Sequence, residues 1–243
     1  MFALTFDVDW APDEVLDDTL GLLAAAGCKA TFFATHKSPA LGGLGAGGFE
    51  VGIHPNFNPV MEGSGGDFRR PVDELLSAFP DSRGVRSHSL VDGAMLISHF
   101  VRVGLKYDSN ILLPYQRGLR PFHHCTGLVR IPYFWEDDVH FGYGRPFLLE
   151  DVPLDPGSLN VFDFHPVHVF LNTCDQAHYD GAKRFYQEPA RLLECRNTRR
   201  PGVRDLLTEL LGHIRAEHAE TATLGVVAER LDAGRAGERD ARP

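Results

Sequence analysis

Two aspartates separated by one residue, Asp7 and Asp9, close the stretch FALTFDVDW near the start of the chain. Read as a strand, this stretch places alternate side chains on opposite faces. Phe2, Leu4, Phe6 and Val8 form an apolar face; Ala3, Thr5, Asp7 and Asp9 form the other. Two carboxylates on one side of a strand end are costly unless water, a cation or a shared proton compensates them. The arrangement recurs downstream. FEVGIH sets Phe49, Val51 and Ile53 against Glu50, Gly52 and His54. VRSH carries Arg86 and ends on His88, and NVFDFH sets Phe162 and Phe164 against Val161, Asp163 and His165. Aspartate and histidine are oxygen and nitrogen ligands suited to zinc or a similar divalent ion.

Such residues meet only if the strands run in parallel, so that their carboxyl ends share one face. The intervening sequence predicts this. Val15, Leu16, Leu20, Leu22 and Leu23 give a helical stripe over 13–26, with acids in its first turns and Gly27 at its end. KATFFAT marks a second strand within 28–35. Strand, helix and strand make a βαβ unit. Further strands are expected at 49–54, 84–88, 105–108, 128–133 and 160–165, and helices at 68–79, 92–103, 182–195 and 203–219. The glycine-rich segment 39–48 reads as a loop without phosphate-loop register. From 109 to 156 periodicity fades, and a stretch this long without clear elements is more often functional than idle.

Composition narrows the function classes. A net charge of −9 over 243 residues argues against nucleic acid and anionic membrane surfaces as partners. No apolar run approaches membrane-spanning length. The four cysteines, at 28, 125, 174 and 195, contain no C-x-x-C pair, so buried reduced thiols are expected. The chain enters its first strand at Phe2 with no basic-then-apolar leader, from which a cytoplasmic location is expected. A single domain over 1–231 and a disordered tail over 232–243 complete the reading.

The ordered set of motifs resembles the polysaccharide deacetylases, carbohydrate esterase family 4, also called the NodB-homology domain. That family opens with T-F-D-D-G or a D-x-D variant, matched by Thr5-Phe6-Asp7-Val8-Asp9. Its second motif, H-[ST]-x-x-H-P, corresponds to His54-Pro55-Asn56-Phe57-Asn58-Pro59. A third motif centres on an arginine, matched by Arg86, and the last is an apolar strand ending in histidine, matched by His165. The resemblance covers roughly residues 1 to 230, and each motif alone is weak while the ordered set is fairly specific. It implies an α/β fold, an irregular (β/α) barrel of about seven parallel strands. It also implies a metal-dependent amide hydrolase that removes an acetyl or formyl group from an amino sugar in a surface-glycan precursor. The implied roles are Asp9 and His54 as ligands of a divalent ion, zinc foremost, and Asp7 as general base. Arg86 would hold Asp7, and His165 would act as general acid. The chain departs from the family at Asn58, where the second motif has histidine. Either Asn58 binds through its amide oxygen or His88 supplies the imidazole from the next strand end; His88 is favoured because imidazole suits zinc better. Loss of the metal site, leaving a carbohydrate-binding relative, is the third outcome. A non-sugar amide on the same barrel is the nearest rival substrate.

Remaining residues carry plainer readings. Trp135, Glu136, Asp137 and Asp138 read as a solvated acidic turn or as a sugar pocket in which Trp135 stacks on the ring. His123, His124 and His140 read as exposed loop residues, and His168 as a satisfied core histidine.

Overall fold

The N-terminal strand β1 (Phe2–Asp7) is buried along its whole length, and its two faces enter different cores. In the computed structural model, which describes residues 1–42, 44–63 and 66–240, Phe2, Leu4 and Phe6 pack outward. They meet Val15, Leu16 and Leu23 of α1 (Asp13–Ala26) and Leu206, Leu207 and Leu210 of the helix Val203–Ala216. Ala3 packs inward with Phe33, Tyr133, Val161 and Leu224. The alternation seen in the sequence is therefore the division between a helix-covered layer and the interior of a curled sheet.

That sheet contains β1, β2 (Ala30–Ala34), β3 (Phe49–Ile53), β4 (Gly84–Val85) and β5 (Tyr107–Asp108). It continues with β6 (Phe122–His123), β7 (Val129–Arg130), β8 (Trp135–Glu136) and β9 (Asn160–Phe164). The spatial order is β6-β7-β5-β4-β3-β2-β1-β9-β8, curled into a half-barrel. All pairs are parallel except β6 with β7. The nine strands exceed the expected seven or so because β6 and β8 are two-residue strands within 109–156, too short to leave a period-two pattern. Register aligns Phe6 with Phe32 and with Phe164. Their rings stack with centroids 4.8 and 5.7 Å apart, tying β2, β1 and β9 into one apolar ladder.

The helix α1 spans the expected residues and ends at Gly27, whose φ of 66° gives a left-handed C-cap. The last helix, Leu224–Asp240, continues through residues 232–240, which had read as tail; residues 241–243 lie outside the described residues. Its start closes the amino-terminal end of the half-barrel. The Gly225 N–H donates to Glu50 Oε2 (2.8 Å), while Tyr107 donates to Glu50 Oε1 (2.8 Å). With that end plugged, the carboxyl ends of the strands are left for chemistry. Among the described residues, no helix is long and apolar enough to cross a membrane. All four cysteines are free, but only Cys28 is buried; Cys125 is exposed, and Cys174 and Cys195 are half-buried, so the expected burial holds for one of four.

Two glycines make room for the rings that fill the interior. A Cβ on Gly52 would sit 2.6 Å from the Phe33 ring, and one on Gly84 would overlap the Tyr107 ring. Gly52→Ala is expected to cost about 1–3 kcal/mol by overpacking. Gly21→Ala, on the exposed side of α1 with nothing within 4 Å of the new methyl, is expected to add up to about 1 kcal/mol. Urea unfolding midpoints of the two variants check both signs.

Candidate active site

β1 ends at Asp7, and the chain then turns sharply. Asp9 and Trp10 both adopt left-handed backbone conformations, with φ of 45° and 58°. Such values are uncommon away from glycine and persist where surrounding structure enforces them. Here the Tyr186 hydroxyl donates to the Asp9 carbonyl (2.5 Å), and Thr35 Oγ1 accepts from the Trp10 N–H (2.8 Å). The turn aims the Asp9 carboxylate at two imidazoles. His54 follows β3 and donates from Nδ1 to the Arg86 carbonyl (2.8 Å). Because a carbonyl can only accept, Nδ1 carries a proton, and Nε2 is the nitrogen that faces Asp9, donating to it when protonated and open to a cation when not. His88 follows β4, its backbone N–H held by the Pro55 carbonyl (3.0 Å).

Asp9 Oδ1, His54 Nε2 and His88 Nδ1 form a nearly equilateral triangle with sides of 3.2, 3.1 and 3.3 Å. Donors bound about 2.1 Å from a tetrahedral ion lie about 3.4 Å apart. One carboxylate and two imidazoles at this spacing fit a divalent cation. Burial raises the Asp9 pKa, but hydrogen bonds from His54 and His88 outweigh it and hold the carboxyl far below the ordinary range. Asn58 does not join this triangle. Its amide nitrogen donates to Ser89 Oγ (3.2 Å) and its backbone opens the short helix Asn58–Met61.

A second network lies beneath. Arg86 is fully buried, with its guanidinium between the Phe33 and Tyr133 rings, 4.6 and 4.3 Å from their centroids. Nη1 donates to Asp7 Oδ1 (3.0 Å), to Thr5 Oγ1 (2.9 Å) and to Asp163. Nε and Nη2 donate to the carbonyl and hydroxyl of Ser109, both at 2.9 Å. Burial, joined by the charge of Asp7, lifts the Asp163 pKa well above the usual carboxylate range against the pull of Arg86. His165 follows β9. Its Nδ1 pairs with Asp137 Oδ1 (2.7 Å) and its backbone N–H donates to Asp137 Oδ2 (2.8 Å). Nε2 faces Asp9 Oδ2 at 3.7 Å. Burial disfavours the imidazolium, yet the charge and hydrogen bond of Asp137, with Asp9 and Asp138 beyond, hold the His165 pKa well above its ordinary value.

The chain matches the family model described as WbmS-like polysaccharide deacetylase over residues 4–183. It belongs to that family. A solved Bordetella bronchiseptica structure, described as a polysaccharide deacetylase involved in O-antigen biosynthesis, is 41% identical. The match covers 87% of this chain and 90% of that one, with a TM-score of 0.83. A Mycobacterium smegmatis polysaccharide deacetylase structure matches at 19% identity and TM-score 0.66, over 96% and 91% of the two chains. The Bacillus subtilis peptidoglycan deacetylase PdaC matches at 13% identity and TM-score 0.54, over 100% and 97%. These last two bear on the fold alone. No curated protein matches the chain.

In this WbmS-like deacetylase, Asp7, Asp9, His54, Arg86, His88 and His165 all lie at the carboxyl ends of their strands. Two residues of the network had no role assigned from sequence. Asp163 shares the inner face of its strand with His165, so alternation carried its signal. Asp137 stood within the acidic turn, where nothing separates it from Glu136 and Asp138. The plainer readings of this region need correction. Trp135 is 1% exposed, packed on Phe162 and Phe164, so it cannot stack on a sugar. His140 is buried rather than exposed, accepting from Trp135 Nε1 (3.0 Å). His168 is buried and bonded to Thr173, as expected of a core histidine.

The acid form of His165 is the protonated one, and Asp137 raises its pKa, so Asp137 extends that form to higher pH. Asp137→Asn removes a charge-assisted hydrogen bond of about 1.5–3 kcal/mol, equivalent to about 1–2 pH units. The alkaline limb of the kcat/KM profile is expected to move to lower pH by that amount.

Proposed function

We propose that this polysaccharide deacetylase removes an N-acyl group, acetyl or formyl, from an amino sugar in a surface-glycan precursor. A divalent cation, zinc by the chemistry of its donors, would be held by Asp9, His54 and His88. The observation that carries the reading is the triangle of donors with an arginine-held carboxylate on one side and an aspartate-held imidazole on the other. The similarity to a protein described as involved in O-antigen biosynthesis supports a glycan precursor as substrate. Work on such a precursor suits a cytoplasmic enzyme.

When bound, the cation supplies Lewis acidity that lowers the pKa of water and draws charge from the acyl oxygen. The remaining chemistry belongs to the side chains. Asp7 has one oxygen committed to Arg86, while Oδ2 faces His54 Nε2 at 3.6 Å. That free oxygen takes the proton of the attacking water. As the water oxygen bonds to the acyl carbon, negative charge develops on the acyl oxygen. The C–N bond then breaks, and His165 delivers its Nε2 proton to the departing amine. Asp137 fixes the ring so that Nε2, not Nδ1, faces the site. Arg86 holds Asp7 in orientation through the bond from Nη1 to Oδ1.

Metal analysis of the purified protein is expected to find one ion per chain, lost in His88→Ala and retained in Asn58→Ala. Equal metal content in both variants would return the third ligand to question. Chelation should abolish hydrolysis of N-acetylated amino sugars, and undiminished hydrolysis in the chelated protein would end the metal-dependent reading. Asp7→Asn should retain the ion while kcat falls about 10²–10⁴-fold. A variant that kept its kcat would remove Asp7 as base. Hydrolysis of acyclic N-acetyl amides but of no amino sugar would favour the non-sugar reading.

A further inference from the structure

Trp10 is the exposed aromatic nearest the ligands in sequence. It follows Asp9 directly and is 39% exposed. A lone surface hydrophobe ordinarily means little, but this one is held. Its backbone sits at φ 58°, its N–H donates to Thr35 Oγ1 (2.8 Å), and its carbonyl accepts from Gln187 Nε2 (2.9 Å). The indole meets the His88 ring in a T-shaped contact, centroids 5.2 Å apart and planes at 75°. The preceding carbonyl is fixed by Tyr186. Side chains from three segments thus hold a bulky residue in an unfavourable conformation, with its ring against a ligand and much of its surface in solvent. Local strain of this kind persists where the surrounding structure over-determines it, and it clusters at sites that handle a ligand. A folded core gains nothing from an indole left in water.

We infer that the Trp10 indole is a platform for the pyranose ring of the substrate, a subsite beside His88 on the mouth of the active site. The inference rests on the amino-sugar reading above and names a residue that selects for it. A pyranose presents an apolar C–H face bordered by polar hydroxyls. A rigid aromatic with few rotatable bonds receives that face at low entropic cost. An acyclic N-acyl amide has no such face, so the platform distinguishes the two substrate classes. Trp135, the other tryptophan, is buried in the strand layer and serves as an internal reference.

The test uses the metal-loaded full chain and N-acetylated glucosamine, galactosamine and mannosamine, free and as nucleotide conjugates. The sugar that the wild type hydrolyses is carried forward. It should protect the exposed tryptophan from acrylamide quenching, and Trp10→Phe should abolish the protected component while leaving Trp135 emission. Trp10→Ala should raise KM about three- to tenfold, the range of an aromatic stacking contact, with kcat and metal content held. Trp10→Tyr should restore most of the KM. Loss of kcat or of bound metal in Trp10→Ala, with KM unchanged, would make Trp10 a structural brace for His88 and overturn the inference. So would hydrolysis of a sugar that leaves acrylamide quenching of Trp10 unchanged. Hydrolysis of acyclic amides alone would overturn the sugar reading and this subsite together. If no substrate is hydrolysed, the enzyme reading is overturned and every sugar is taken to the quenching assay: protection of Trp10 would then support the platform, and protection by none of them would overturn it.

Discussion

A guanidinium removed from water must find its hydrogen bonds within the protein, and Arg86 finds them at three parts of the sheet. It donates to Thr5 and Asp7 of β1, to Asp163 of β9 and to Ser109 beyond β5. The Phe33 ring from β2 and the Tyr133 ring cover its faces. Its own carbonyl accepts from His54 after β3. One residue therefore sets the orientation of the proposed base through its side chain and the tautomer of a proposed ligand through its backbone. Removing one partner of such a buried cluster typically costs several kcal/mol, because the others are left charged and unpaired. The curled sheet is needed to surround the guanidinium, and Gly52 is needed to let the Phe33 ring approach.

The carboxyls around this centre differ by environment. Asp7 shares the charge of Arg86. Asp163 is buried deeper, and burial with the charge of Asp7 raises its pKa against the pull of Arg86. Asp9 faces imidazoles and is held ionised. Asp137 meets His165 through both of its oxygens, and its Oδ1 also accepts from the Asp138 N–H. Asp9 and Asp163 are thus pushed apart in acidity by what surrounds them.

Much of this was legible because β1, β3 and β9 are long enough, at five or six residues, to display alternation. Phe6 between Phe32 and Phe164 is visible as a repeated aromatic position, and the polar residue on the opposite face marks each strand end. Legibility fails at β6 and β8, two-residue strands inside a stretch without periodicity. There the sheet is specified by what packs across it rather than by local pattern. Asp137 begins a six-residue helix just after such a strand, so its pairing with His165, 28 residues away, leaves no periodic trace. Trp135 and His140 were misread for the same reason: their burial depends on Phe162, Phe164 and Pro146, which come later in the chain.

The difference at Asn58 shows how chemistry and position separate. The family's second motif asks for histidine four residues after His54, and that position here opens a short helix whose amide turns to Ser89. His88 arrives by another path. The turn after β4 holds Ser89 and Leu90 at φ of 55° and 53°, and the Pro55 carbonyl anchors the His88 backbone beside the first ligand. Pro55 belongs to the His54 motif, so the element that lacks the second histidine fixes the residue proposed to stand in its place. The proposed donor set is still two imidazoles and one carboxylate, because the softness and charge of an ion determine which groups can hold it. Which stretch of chain supplies them is free to change, provided the strand ends bring them within reach of one point.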